Sequence, residues 1–165
     1  MRRLSLVPLL LLPLLATGAT AAPDGPSSVV KGHGHHATPA AELIAARKAM
    51  MHMAATLTFG SVMPAAKAAG DVKGQEDAAD GLARFGHSIA GLFPDGSAGP
   101  DSRATPAVWT NKADFQARAK AFGDASARLA QLAKAGDTTG FAAQAKVVAG
   151  GCGGCHSLYR VDEKK

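Results

Sequence analysis

The two cysteines of the sequence lie in one pentapeptide, Cys152-Gly153-Gly154-Cys155-His156. At about 100° of rotation per residue, helix positions i, i+3 and i+4 fall within about 100° of one face, so a helix here presents two thiols and an imidazole side by side. Thiols at that spacing can add to the vinyl groups of a haem while His156 reaches the iron from the same side, which is the chemistry of covalent c-type haem attachment. Gly153 and Gly154 carry no side chain to obstruct the approach of a porphyrin edge. Three other chemistries use the same residue types. A redox Cys-x-x-Cys opens a helix after a strand in a βαβ setting, whereas this run lies near the C-terminus of a chain with no β-periodic segment. A disulfide from Cys152 to Cys155 closes almost no loop and stabilises little. A zinc site built from Cys152, Cys155, His156 and a further histidine lacks a second paired-ligand motif.

Four segments separated by breakers predict the helices that must hold this motif. The first runs from Pro39 to Lys67, with Thr38 as N-cap, Pro39 at the first helical position and Glu42 in the first turn; Gly60 and Pro64 are candidate interruptions. The second, Gln75 to Leu92, carries an apolar stripe of Leu82, Phe85, Ile89 and Phe93, and Pro94-Asp95-Gly96 stops it. A long Gly/Ser/Pro connection, Asp95 to Pro106, leads to the third, Lys112 to Ala135, with Phe115, Phe122, Leu129 and Leu132 on one side. Gly136-Asp137 makes the next turn. The fourth, Thr138 to Tyr159, carries Phe141, Val147, Val148 and both cysteines. The economical architecture is an all-α, antiparallel four-helix bundle with a long loop between its second and third helices. Aromatic residues are 5% of the chain, and alanine occupies many interior positions, so the core is thin and a large apolar insert would add to it.

Residues 1–21 read as a secretory signal: Arg2 and Arg3 are the positive region, Leu4 to Leu15 the apolar stretch, and Ala19-Thr20-Ala21 the cleavage signature. The apolar stretch is about a dozen residues, short of the roughly 20 that cross a bilayer as a helix. The expectation is export to a bacterial-type periplasm, with no membrane attachment after cleavage. Residues 22–38 form a Pro/Gly/Ser/His arm expected to be disordered, in which His33, His35 and His36 could bind a transition metal. Residues 39–165 are the bundle domain. The formal net charge is +5 and falls to about +3 without Arg2 and Arg3, too small a bias to indicate nucleic acid. No Ser-His-Asp, paired-carboxylate, phosphate-loop or zinc-hydrolase pattern appears, so turnover is not indicated.

Haem attachment at the C-terminal end of a four-helix chain resembles cytochrome c prime and its low-spin relatives, the class II c-type cytochromes. The likeness extends over residues 41–160. It is carried by Arg47 followed four residues later by Met51, by Leu92-Phe93-Pro94-Asp95-Gly96-Ser97, by Pro106-Ala107-Val108-Trp109, and by Cys152 to His156 followed by Tyr159-Arg160. The chain departs from the pattern at Ala104-Thr105, where a basic residue is common, and in the longer stretch Gly60 to Gly74. The resemblance implies one haem c per chain inside an antiparallel bundle, a homodimer packed through the early helices, and a redox partner protein. It implies that His156 is the proximal iron ligand, that Met51 faces the distal side, that Arg47 lies near a haem propionate and that Arg160 lies beside the proximal histidine.

The functional question then reduces to the sixth coordination position. If Met51 ligates the iron, the protein is a six-coordinate, low-spin electron carrier; if Met51 only crowds the pocket, the iron is five-coordinate and can take NO or CO. The overall resemblance favours the five-coordinate form. Met50 and Met53 lie at about 100° and 200° from Met51 around the helix and do not share its direction. His52, turned away from Met51, and His87 are the candidates for bis-histidine ligation, while Trp109 and Tyr159 either line the haem edge or pack in the core. An exported metal-binding protein using the arm histidines with Cys152 and Cys155 is the alternative of a different class.

Overall fold

The computed structural model describes residues 39–161. The expected signal segment, the histidine arm with His33, His35 and His36, and the N-cap Thr38 lie outside the described residues. Helix α1 spans Pro39–Leu57, begins with proline at its first position and has Glu42 in its first turn, where the helix dipole favours a negative charge. It buries Ile44, Arg47 and Ala54.

The first expected helix is not stopped by Gly60 or Pro64. It passes through a π-helical turn, Thr58–Val62, closed by the Met63 N–H on the Thr58 carbonyl, and continues as α2, Met63–Ala68. The wide turn places Pro64 in the first turn of α2, where its missing N–H is not required. The helix ends where Ala69 turns left-handed at φ 50°.

A 3-10 turn, Lys73–Gln75, introduces α3, Glu76–Ser88, whose first turn carries Glu76 and Asp77. A further 3-10 turn, Ile89–Leu92, delivers the chain to the long loop. Within the expected connection a short helix α4, Ala107–Thr110, forms on the Pro106-Ala107-Val108-Trp109 element. Helices α5, Lys112–Ala135, and α6, Thr138–Tyr159, match their expected bounds. Gly136 adopts φ 70° and lets the N–H groups of Gly136 and Asp137 cap the Ala133 and Leu132 carbonyls. Asp137 then caps α6, its carboxylate accepting from the Gly140 N–H at 2.8 Å.

The packing is that of an all-α four-helix bundle, with α3 and α5 in the most extensive contact and α6 against α5 and α2. Its centre is formed by Val62, Leu82, Leu129, Phe141 and Val148, each fully buried. Val148 points inward, while Val147 faces outward. At the crossing of α3 and α5 the backbones meet: a Cβ on Gly86 would lie 2.5 Å from the Cα and N of Gly123. Two hydroxyls in this interior, Thr58 Oγ1 and Ser126 Oγ, have no hydrogen-bond partner. Among the described residues no helix is long and apolar enough to cross a membrane.

Candidate functional site

Cys152, Cys155 and His156 line one cavity of about 800 Å³, together with Met51, Arg47 and Arg160. That volume lies within the range of about 300–1,000 Å³ usual for small-molecule and cofactor sites. Two helices supply its defining side chains. On α6, Cys152, Cys155, His156 and Tyr159 follow one another at i, i+3, i+4 and i+7 on the cavity face. On α1, Arg47, Met51 and Ala55 line it at steps of four, followed by Phe59 in the π-helical turn. Helices α3 and α5 and the 3-10 turn after α3 close it with hydrocarbon from Phe85, Ile89, Phe115 and Phe122.

Both cysteines are free thiols. Burial pushes each of them above the usual thiol range. A redox dithiol needs the opposite, a thiol pulled down by cationic surroundings, so the environment disfavours that reading. His156 is pushed below the ordinary imidazole value, first by burial and then by Arg160 and Arg103. A neutral ring keeps a nitrogen lone pair available to a metal ion.

Arg47 is buried at 3% exposure and meets no carboxylate. Its Nη1 donates to Ser97 Oγ at 2.9 Å and to the Leu92 carbonyl at 3.3 Å. Its Nη2 donates to the Ser97 carbonyl at 2.9 Å and to Ser102 Oγ at 3.3 Å, and the guanidinium lies 4.5 Å from the centre of the Phe93 ring. Burial lowers its pKa, the sign expected of a cation without an anionic partner. The same loop grips the end of α6: Thr105 N–H donates to the Tyr159 carbonyl at 3.0 Å, and Val161 N–H to the Arg103 carbonyl at 2.8 Å. Arg160 forms an isolated bridge with Ala104.

The lining is mostly apolar, yet it includes the cations Arg47, Lys48, Arg103, Arg118 and Arg160 and, among the described residues, no carboxylate. Two thiols and an imidazole on one wall, hydrocarbon around them and a buried Arg47 whose acceptors are all neutral fit a flat apolar group with an anionic edge, which is the character of haem.

Several residues weighed for the site fall elsewhere. Met53 is exposed and Met50 packs against the core, so neither lines the cavity. His87 stands 3.7 Å from Asp124, against Gly123 and outside the cavity. Trp109 donates its indole N–H to the Pro94 carbonyl at 3.0 Å and packs edge-on to Phe93 rather than lining the site. His52, expected to turn away from Met51, in fact lines the cavity beside Lys48, because the mouth is wide enough to take in two neighbouring ridges of α1. Arg118 was missed, although its i, i+4 spacing from Asp114 was a visible signal. No cluster of three or more His, Cys, Asp or Glu among the described residues is placed to hold a metal ion.

Comparison with known proteins agrees with this geometry. The chain is 37% identical over 83 residues to cytochrome c' of Pararhodospirillum photometricum, a match covering 50% of this chain and 66% of that protein. It is 44% identical over 70 residues to cytochrome c-556 of Agrobacterium fabrum, covering 42% and 46%. The matches thus span between about half and two-thirds of these relatives. Among solved structures, cytochrome c prime from Shewanella frigidimarina superimposes with a TM-score of 0.68 at 29% identity, covering 76% of this chain and 99% of that one. A nitric oxide complex of a variant cytochrome c prime from Alcaligenes xylosoxidans gives a TM-score of 0.69 at 24% identity, covering 77% and 99%. The family model for cytochrome c' matches residues 42–160, a span that takes in the four long helices, apart from the first three residues of α1, and the whole Cys152–His156 run; the chain belongs to the cytochrome c' family, and that membership implies a c-type haem.

Proposed function

We propose that this chain is an exported, periplasmic one-electron carrier and diatomic-gas binder built on one covalently attached haem c. The observation that carries the reading is that α6 and α1 bring Cys152, Cys155, His156, Met51 and Arg47 to a single apolar cavity. A haem bound there supplies a one-electron iron couple and a coordination position for a small ligand.

The roles of the residues follow from their placement. Cys152 and Cys155 would hold the haem through thioethers, each thiol adding S and H across a vinyl C=C, an addition that consumes no oxidant or reductant. His156, whose pKa burial lowers, would offer its ring nitrogen to the iron of a haem held there. Arg47, a buried cation with only neutral acceptors, offers a charge-assisted contact to a propionate. Arg160 and Arg103 add positive charge beside His156. Met51, with Ala55 one turn later, lines the opposite, α1 side of the cavity and would give a haem held there an apolar distal neighbour.

The position of the Met51 thioether on the cavity wall also supports a second reading, in which Met51 is a sixth ligand and the protein carries electrons only. One experiment separates the two. Protein matured in a host competent for c-type cytochromes should keep its pigment in acidified organic solvent. A high-spin visible spectrum shifted by CO then establishes the five-coordinate form. Low-spin bands indifferent to CO establish Met51 ligation, and Met51→Ala should then open the iron. Colourless protein would overturn both and leave an exported metal-binding protein for metal analysis.

The partners proposed are a redox protein, NO or CO, and a second copy of the chain. The exposed Met53 and Phe59 on the first long helical segment are apolar surface suited to a homodimer packed through the early helices. Sedimentation of the pigmented protein tests this directly.

A further inference from the structure

The haem-attachment turn is the least self-supporting part of α6. Gly150, Gly151, Gly153 and Gly154 surround Cys152, and glycine is the weakest helix former after proline. Contact with the rest of the protein is slight here: a Cβ at Gly150, Gly153 or Gly154 would meet no protein atom within 4 Å, and one at Gly151 would meet only the Phe122 ring, at 3.3 Å. Support comes instead from α5. Arg118 Nη1 donates to the Gly154 carbonyl at 3.2 Å, and Arg118 Nε donates to Asp114 Oδ2 at 2.6 Å. The same carboxylate oxygen accepts from Tyr159 Oη at 2.5 Å, and the Tyr159 ring packs edge-on to Phe115 with centroids 5.1 Å apart. One turn of α5 therefore holds α6 on both sides of His156, two residues before it and three residues after it.

We propose that Arg118, braced by Asp114, is a positioning residue for the proximal side of the haem: its bond to Gly154 fixes the glycine turn between the thiols and so sets the direction in which His156 presents its ring. This rests on His156 being the axial ligand. Arg118 also lines the cavity, so its charge acts on the iron as well as its geometry, and the test has to separate the two. Arginine suits the role because its planar guanidinium bonds in two directions at once, whereas the ammonium of lysine keeps the charge without the fork.

The experiment uses the matured, haem-bearing protein and the variants Arg118→Ala, Arg118→Lys, Asp114→Asn and Tyr159→Phe. Covalent haem content is measured first, since its absence in the parent defeats the reading of the site itself. Arg118→Ala should speed amide exchange in residues 150–156 by about tenfold, while residues 141–148 of the same helix stay protected. The iron–histidine stretching band in the resonance Raman spectrum of the reduced protein should shift or broaden. Arg118→Lys should keep the parent reduction potential yet show the altered band. Asp114→Asn should show a weaker form of the same change, because the guanidinium loses its brace, and Tyr159→Phe should loosen only the end of the helix. Parent-like exchange and an unmoved band in Arg118→Ala would overturn the proposal, as would uniform loosening of every helix, and so would a band that Arg118→Lys restores in full, which would make the role one of charge alone.

Discussion

Arg47 Nη1 donates to Ser97 Oγ at 2.9 Å, joining α1 to a loop residue fifty positions later in the chain. Ser97 Oγ in turn donates to the Pro94 carbonyl at 2.6 Å, so the guanidinium closes a turn that is already hydrogen-bonded. Through Ser102, which accepts from both Arg47 and the Ala104 N–H, the contact reaches the backbone that grips Tyr159 and Arg160. The helix carrying Met51 and the segment following His156 are thus tied to one loop.

Replacing Arg47 by Met keeps most of the bulk and removes every one of those bonds. A hydrogen bond to a charged group contributes about 1.5–3 kcal/mol, and relaxation of the loop recovers part of the loss, so Arg47→Met should cost about 2–3 kcal/mol. Chemical denaturation of the haem-bearing protein measures this, and limited proteolysis should cut first within residues 93–106.

Asp114 carries a pH dependence whose sign is fixed by its partners. Hydrogen bonds from Arg118 and then Tyr159 hold its carboxyl below the usual carboxylate range. A carboxyl whose folded-state pKa lies below its unfolded value of about 3.9 contributes fully above that value, and the contribution is lost as pH falls through the folded pKa. Asp114→Asn should therefore melt below the parent at neutral pH, and the two should converge on acidification. Melting temperature against pH for the pair reads this out.

The unpartnered hydroxyls of Thr58 and Ser126 are polar atoms buried at a loss. Ser126→Ala and Thr58→Val remove them with little change of shape, so each should raise stability, by up to about 1 kcal/mol. Denaturation midpoints of the single variants and the double variant test this.

Glycines in this chain should respond in opposite directions to alanine. At Gly150 the new Cβ meets nothing within 4 Å, and helix propensity alone gives a gain of about 0.5–1 kcal/mol. At Gly86 the Cβ would press on the backbone of Gly123 at 2.5 Å, forcing the helices apart at a cost of about 3 kcal/mol. Thermal melts of the two variants should move apart from the parent on either side.

The sequence pattern revealed the helices to within a few residues because their breakers are unambiguous: Pro94-Asp95-Gly96 and Gly136-Asp137 stop helices by backbone chemistry that needs no tertiary context. The attachment motif and the four-residue step from Arg47 to Met51 were legible for the same reason, since both are spacings along one helix. The π-helical turn at Thr58–Val62 was not, because a 3.6-residue pattern has no signature for a single wider turn. His52 was misplaced by a rule that gives each residue one direction, while the cavity spans more than one ridge of α1. The partners of Arg47 lie 45 to 55 residues away, a separation that no local pattern encodes.

Where α3 and α5 cross at Gly86 and Gly123, main chain comes close to main chain, with only the rings of Phe122 and His87 beside it. Those two helices act as a fixed jaw behind the cavity. Room to adjust around the cavity lies instead with the first helix, which buries only Ile44, Arg47 and Ala54, and with the glycine-rich tail of the last.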